Sequence, residues 1–230
     1  MSVDLQNVVP WGRSLEEYIL MFDLKGSDLE QRILDCAAGP SSFNAQLYRL
    51  GTTVLSCDPI YQFSATEIAQ QIDKTYETIL NATRQTEDKF VWREIRSIEH
   101  LGELRQQAMK QFQEDFPSGV QQGRYRVSEL PKLPFRDREF DLALCAHFLF
   151  TYSNVLSLEF HLDAIRELCR VAIEVRVFPL IGQFGTEYSP HVSEVFSRLG
   201  AEGYECEIKK VPYEFQKGGN EMMRIRLMTK

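Results

Sequence analysis

Residues 31–59 constrain the fold of this chain more than any other stretch. A short apolar run, Ile33-Leu34, ends in an acid, Asp35, and a loop of small residues follows from Cys36 to Ser42. The spacing predicts a helix over 43–50, stopped by Gly51, and a second apolar strand over 53–57 that ends in Asp58. Such a strand–loop–helix–strand unit feeds a parallel sheet, with small residues at the first turn and an acid at the tip of the second strand. Gly39 and Asp58 are separated by about the twenty residues that a ribose-binding acid requires. A nucleoside-containing cofactor is therefore the first expectation.

The identity of that cofactor follows from what the loop lacks. A pyrophosphate needs closely approaching glycines and free backbone N–H groups at a helix start. Here only Gly39 is present, Ala37 and Ser41 occupy the alternate positions, and Pro40 removes a donor. Asp35 also points negative charge at the place where a dianion would lie. S-adenosylmethionine fits better, since it carries an ammonium and a sulfonium and no phosphate. Asp35 is expected to take the ammonium directly or through water, and Asp58 both ribose hydroxyls. Each such charge-assisted hydrogen bond contributes roughly 1.5–3 kcal/mol.

With these residues in view, the chain resembles the class I S-adenosylmethionine-dependent methyltransferases, whose first motif reads Asp-x-Gly-x-Gly-x-Gly. It departs from that motif at Ala37 and Ser41. Ser128-Glu-Leu-Pro-Lys-Leu-Pro-Phe135 followed by Phe140-Asp141 is similar to a second family pattern. That likeness implies Glu129 at the adenine amino group and the Leu130 N–H at a ring nitrogen. It also implies that Cys36, Ala37, Ala38, Gly39, Pro59 and Cys145 lie around the cofactor, and that Cys145-Ala-His-Phe148 meets the transferring methyl. Trp11-Gly-Arg-Ser14, Gly39-Pro-Ser-Ser-Phe-Asn44, Ala146-His-Phe-Leu-Phe150 and Pro212-Tyr-Glu-Phe-Gln-Lys-Gly-Gly-Asn-Glu221 more narrowly resemble a bacterial group of uncharacterised methyltransferase-like proteins.

The rest of the chain reads as one α/β domain. Its 230 residues and 43% hydrophobic content suit a single core. Ser14-Leu-Glu-Glu17 matches a capping box for a helix over 15–23, and Ser27 or Asp28 is expected to cap a further turn. Helical spacing covers 64–84 and 91–116, ahead of a strand at 124–128. One crossover helix needs far fewer residues, so 64–123 is expected to be a helical insertion, either an amphipathic cap or a lid. It carries seven Lys/Arg against ten Asp/Glu. Strands over 142–150 and 172–180, helices over 157–170 and 189–199, and final strands over 206–215 and 222–228 complete the pattern. A hairpin turn at Lys217-Gly-Gly-Asn220 is expected between the last two strands. The fold class is thus a Rossmann-like, seven-stranded, mostly parallel sheet with a C-terminal antiparallel hairpin.

Charge and cysteine usage narrow the partners. A net charge of −7 argues against a broad phosphate-binding face, so a small-molecule acceptor is expected rather than nucleic acid. The five cysteines include no Cys-x-x-Cys pair and read as small buried side chains. Glu159-Phe-His161-Leu-Asp163 is no metal site, because residues two apart on a helix face different ways. Residues 1–6 lack a leader pattern and no apolar run nears about 18 residues, so a cytoplasmic protein without a membrane span is expected.

Methyl transfer asks mainly for positioning, with a base only where the acceptor loses a proton. His147 interrupts an apolar strand at its catalytic end and is a candidate base or hydrogen-bond partner; a structural histidine bonded to a backbone carbonyl is the alternative. Tyr152 could gate the acceptor or belong to the core. Arg13 could hold the cofactor carboxylate or be solvated. No Asn/Asp-Pro-Pro-Tyr/Phe follows the fourth strand, and no Pro-Cys nucleophile is present. The reading is a methyltransferase of a small molecule; the alternative is a non-catalytic cofactor-binding or protein-interaction module on the same fold.

Overall fold

A computed structural model describes residues 9–228, so the residues that bear on a leader lie outside it. Helix α1 (Leu15–Met21) starts at the expected box: Ser14 Oγ accepts from Glu17 N–H, and the Glu17 carboxylate accepts from Ser14 N–H. Helix α2 (Gly26–Leu29) starts one residue before Ser27. Asp28 is its third residue and reaches back 2.9 Å to Lys25 N–H, so neither Ser27 nor Asp28 is the cap itself.

Strand β1 (Ile33–Cys36), helix α3 (Phe43–Arg49) and strand β2 (Val54–Cys57) form the unit read from the sequence. Two long helices follow, α4 (Ala65–Gln85) and α5 (Ile98–Gln121), and then a two-residue strand β3 (Tyr125–Arg126). Strand β4 (Phe140–Ala146), helix α6 (Leu158–Val171), strand β5 (Ala172–Phe178) and helix α7 (Val192–Ala201) continue the alternation. Strands β6 (Tyr204–Lys210) and β7 (Glu221–Leu227) end it. The sheet order is β3-β2-β1-β4-β5-β7-β6, parallel except where β7 runs against both neighbours. No described helix is long and apolar enough to cross a membrane.

Both faces of the sheet are covered, as a parallel sheet demands. One face buries Leu34, Cys36, Cys57, Ala143, Cys145 and Val175 under α6 and α7. The other buries Ile33, Val54, Leu142 and Leu144 under α1 and α3. Period-two alternation therefore sends Asp35 to the α1 and α3 side and its neighbour Cys36 to the other.

Three expectations need correction. Residues 91–97 are not helical: Phe90 bridges to Gln216 and Val91 N–H donates to Phe215 O, which draws this stretch away from the helix. Helix α5 begins only where Ser97 Oγ accepts from His100 N–H. The fourth strand stops at Ala146, because His147 turns to φ +50. The last two strands are joined not by a tight turn at 217–220 but by an excursion over 211–220, closed by Val211 N–H on Asn220 O.

A buried polar network fixes the exit from α5. Arg124 donates to both oxygens of Asp115 and to Asn44 Oδ1. The Asn44 amide in turn donates to Val54 O, Ser56 Oγ and Arg124 O. Helix α5, helix α3 and the sheet edge are thereby held together by groups that satisfy one another.

Candidate active site

The loops after β1, β2, β4 and β5 surround a cavity of about 440 Å³. This is the place where an open parallel sheet binds ligands, outside the carboxyl ends of its strands. Of the residues singled out from sequence, Arg13, Ala37, Ala38, Gly39, Asp58, Pro59, Glu129, Leu130, His147 and Tyr152 line it. Asp35, Cys36 and Cys145 do not. The two cysteines point into the α6 and α7 core. Asp35 is fully buried beneath Tyr18, accepting from Tyr18 OH at 3.1 Å and from Ser56 Oγ at 3.4 Å. Burial pushes its carboxyl up to about 7. Of the two routes expected from Asp35 to an ammonium, direct or through water, its burial leaves no direct one in this structure; Tyr18, which it holds, lines the cavity instead.

The loop after β1 is wound tightly and pinned. Ala37 and Gly39 have φ of +56 and +54, left-handed values that cost an L side chain roughly 1–2 kcal/mol. Asp58 holds the turn in place: Oδ2 accepts from Gly39 N–H at 2.9 Å and Oδ1 from Ile60 N–H at 2.8 Å. Each oxygen keeps a further lone pair. Burial raises the Asp58 pKa, while these two N–H groups oppose that shift. Ser41, the departure from a glycine pattern, donates from Oγ to Arg13 O and accepts from Phe43 N–H. It therefore fastens the segment before α1 onto the loop. Gly12 is essential to that seat, since a Cβ there would lie 2.0 Å from Pro40 O.

Cationic groups gather elsewhere in the cavity. Arg105 of α5 is buried and donates to both Glu17 oxygens, at 2.5 and 2.6 Å. Tyr213 OH donates to the same carboxylate at 2.9 Å. Burial works against the charged guanidinium, but the Glu17 carboxylate prevails and raises the Arg105 pKa. Among the described residues Arg13 has no carboxylate partner: it donates from Nη1 to Trp11 O, and its buried Nε finds no partner there. Burial and the Arg105 charge lower its pKa. His147 has a buried Nδ1 with no hydrogen-bond partner among the described residues. Burial first, then Arg13 and Arg105, hold its imidazole well below the usual histidine range, so it is neutral. Tyr152 OH accepts from Val9 N–H.

Three segments far apart in sequence line the cavity with an aromatic wall. Phe90 lies 4.8 Å from Phe215 and 6.4 Å from Phe184, ring centre to ring centre, and Trp92 meets Phe215 edge-on. Backbone bonds tie them: Val91 N–H to Phe215 O at 2.7 Å, and Lys217 N–H to Lys89 O at 2.9 Å. The Gln216 amide donates to Gly182 O. Trp11 also lines the cavity and packs on Tyr76 of α4. Sequence reasoning missed Tyr18, Arg105, Tyr213 and this wall. The capping box located Glu17, but nothing local marks its partner 88 residues away.

No family model matches the chain. The uncharacterised protein MJ0045 of Methanocaldococcus jannaschii is 34% identical over 225 residues, covering 97% of this chain and 98% of its own. Among solved structures, magnesium protoporphyrin IX methyltransferase from Synechocystis, with bound SAM, superposes at a TM-score of 0.50 and 11% identity, over 93% of this chain and 78% of that one. A TehB-like SAM-dependent methyltransferase from Corynebacterium glutamicum gives 0.48 and 13% over 94% and 88%. The chain belongs to the family of the Methanocaldococcus protein, built on the fold of the class I S-adenosylmethionine-dependent methyltransferases.

Proposed function

We propose that the protein is an S-adenosylmethionine-dependent methyltransferase acting on a small molecule. The observation that carries this reading is Asp58, held at the tip of β2 by Gly39 and Ile60 N–H, with one lone pair on each oxygen left for a ribose diol. The other groups suit the cofactor's remaining parts. Glu129 and Leu130 N–H match the adenine edge, beside Ser128 Oγ, which is buried without a partner. Arg13, a guanidinium with no carboxylate partner among the described residues, matches the methionine carboxylate. Tyr18 directs its proton to Asp35, so its oxygen offers lone pairs to an ammonium. Ala37 to Gly39 bring their backbone beneath the methionine.

The bound cofactor supplies an electrophilic methyl group on a sulfonium. The chain's own part is to orient it, exclude water and receive the acceptor. The concave, largely apolar lining of the cavity and the chain's net charge of −7 favour a small acceptor. His147 stands where the fourth strand ends, as the acceptor's hydrogen-bond partner or base.

Calorimetry with S-adenosylmethionine and its demethylated product tests the reading. Both should bind, and Asp58→Ala should weaken them by about 100-fold or more through loss of two charge-assisted bonds. Absence of binding, or an Asp58→Ala variant with undiminished affinity, overturns it.

A further inference from the structure

The part of the cavity not claimed by the proposed cofactor has a distinct character. Phe90, Phe184 and Phe215 form a contiguous aromatic wall there, with Ile79 and Leu101 also lining the cavity. The charged residues of the lining are Arg13, Asp58, Arg105 and Glu129. Arg105 is closed by Glu17, and the other three have roles toward the cofactor. The remaining polar groups are neutral, among them the His147 imidazole, the Tyr152 and Thr83 hydroxyls, the amides of Gln183 and Gln216, and the Thr151 hydroxyl, whose buried Oγ1 has no partner among the described residues.

On the methyltransferase reading above, we propose that the acceptor is a small, uncharged, flat molecule, an aromatic ring bearing a hydroxyl, seated on the Phe90–Phe184–Phe215 wall with that hydroxyl at His147. An acidic acceptor would lose its hydration here without gaining a free counter-ion. A flat ring meets the ring faces and edges of the wall, which a bulky saturated skeleton cannot match.

The chemistry balances without a further reactant. A lone pair of the acceptor oxygen forms the new O–CH3 bond as the C–S bond breaks, and that bond's electron pair stays on sulfur as a neutral thioether. The hydroxyl proton passes to His147 and then to water. One positive charge leaves sulfur as one arrives on the imidazole, so the cavity's total charge is unchanged at that moment. Neutralisation of Arg13 by the cofactor carboxylate removes one of the charges that hold His147 unprotonated.

The test uses the full chain saturated with S-adenosylhomocysteine and titrated, by calorimetry or ligand-observed NMR, with 2-naphthol, 2-naphthoate and decahydro-2-naphthol. The expected result is that 2-naphthol binds roughly tenfold or more tighter than either relative. Phe184→Ala should erase that preference and leave S-adenosylhomocysteine affinity unchanged. With S-adenosylmethionine, mass spectrometry should find the naphthyl methyl ether, diminished in His147→Ala. If 2-naphthoate binds as well or better, or Phe184→Ala has no effect on 2-naphthol, the acceptor class is wrong. Failure of S-adenosylhomocysteine to bind at all instead overturns the methyltransferase reading, so the two failures are separable.

Discussion

Asp58 and Phe90 face one cavity, yet they are held there by opposite means. Around Asp58 the contacts are short in sequence: its carboxylate reaches Gly39 nineteen residues away and Ile60 two residues away, and the strands beneath are parallel and fully paired. Around Phe90 the contacts join stretches 94 to 128 residues apart, through backbone bonds from 89–91 to 215–217 and ring packing onto Phe184 and Phe215. The strand-tip half is thus set by local turn geometry and side chain-to-backbone bonds. The aromatic half exists only once the α4–α5 connection, the β5 loop and the β6–β7 excursion have met. On the proposed function, cofactor recognition can be shared across a fold while the acceptor side diverges, because the second depends on segments that the sheet itself does not specify.

The tie between the halves is the Arg105–Glu17–Tyr213 cluster, and breaking it gives the largest effect. Glu17→Gln leaves a buried guanidinium without its counter-charge and should cost about 3–5 kcal/mol in urea unfolding. Replacing Arg105 by Met in the same chain should recover much of that loss. A small effect of Glu17→Gln would mean that the two halves are anchored independently.

A second measurement sharpens the strand-tip side. Asp35 is held protonated up to about pH 7 in the folded protein, whereas in the unfolded chain it ionises near the ordinary carboxylate value. Between about pH 4 and pH 7 the folded state therefore binds the extra proton, and this group's contribution makes stability fall as pH rises. The penalty is complete above the folded value, at up to about 4 kcal/mol. Asp35→Asn should accordingly match the parent near pH 4 and exceed it at pH 8. Parallel stability curves for the two proteins across that window would refute a strained buried acid beneath Tyr18.

The smallest effect is expected at the first turn. Ala37→Gly relieves a left-handed backbone but frees the unfolded chain by a similar amount, so the net change should stay within about 0.5 kcal/mol. Thermal melts of the two proteins settle it. A larger gain would show that the turn stores strain.

Particular residues show why one half was readable from the sequence and the other was not. Asp58, Gly39 and the strands beside them follow from alternation and spacing, which act within a few dozen residues. The burial of Asp35 hangs on Tyr18 and Ser56, which cover it in three dimensions only. The stretch 91–97 has helical periodicity, but Val91 finds a better backbone partner in Phe215. His147 ends its strand by a left-handed turn that apolar content could not announce, since Phe148 to Phe150 continue the hydrophobic run. Arg105 looks like any surface arginine on an amphipathic helix until Glu17 is placed beside it.

The chain has two tryptophans, Trp11 lining the cavity and Trp92 packed against Phe215 behind the aromatic wall. Four of its five thiols are sealed in the core, and Cys206 on β6 is half-buried. Intrinsic fluorescence is therefore a native optical reporter of what enters the cavity, and thiol-directed dyes have Cys206 as their accessible landing place. Occupancy can be followed by light without engineering a label into the site.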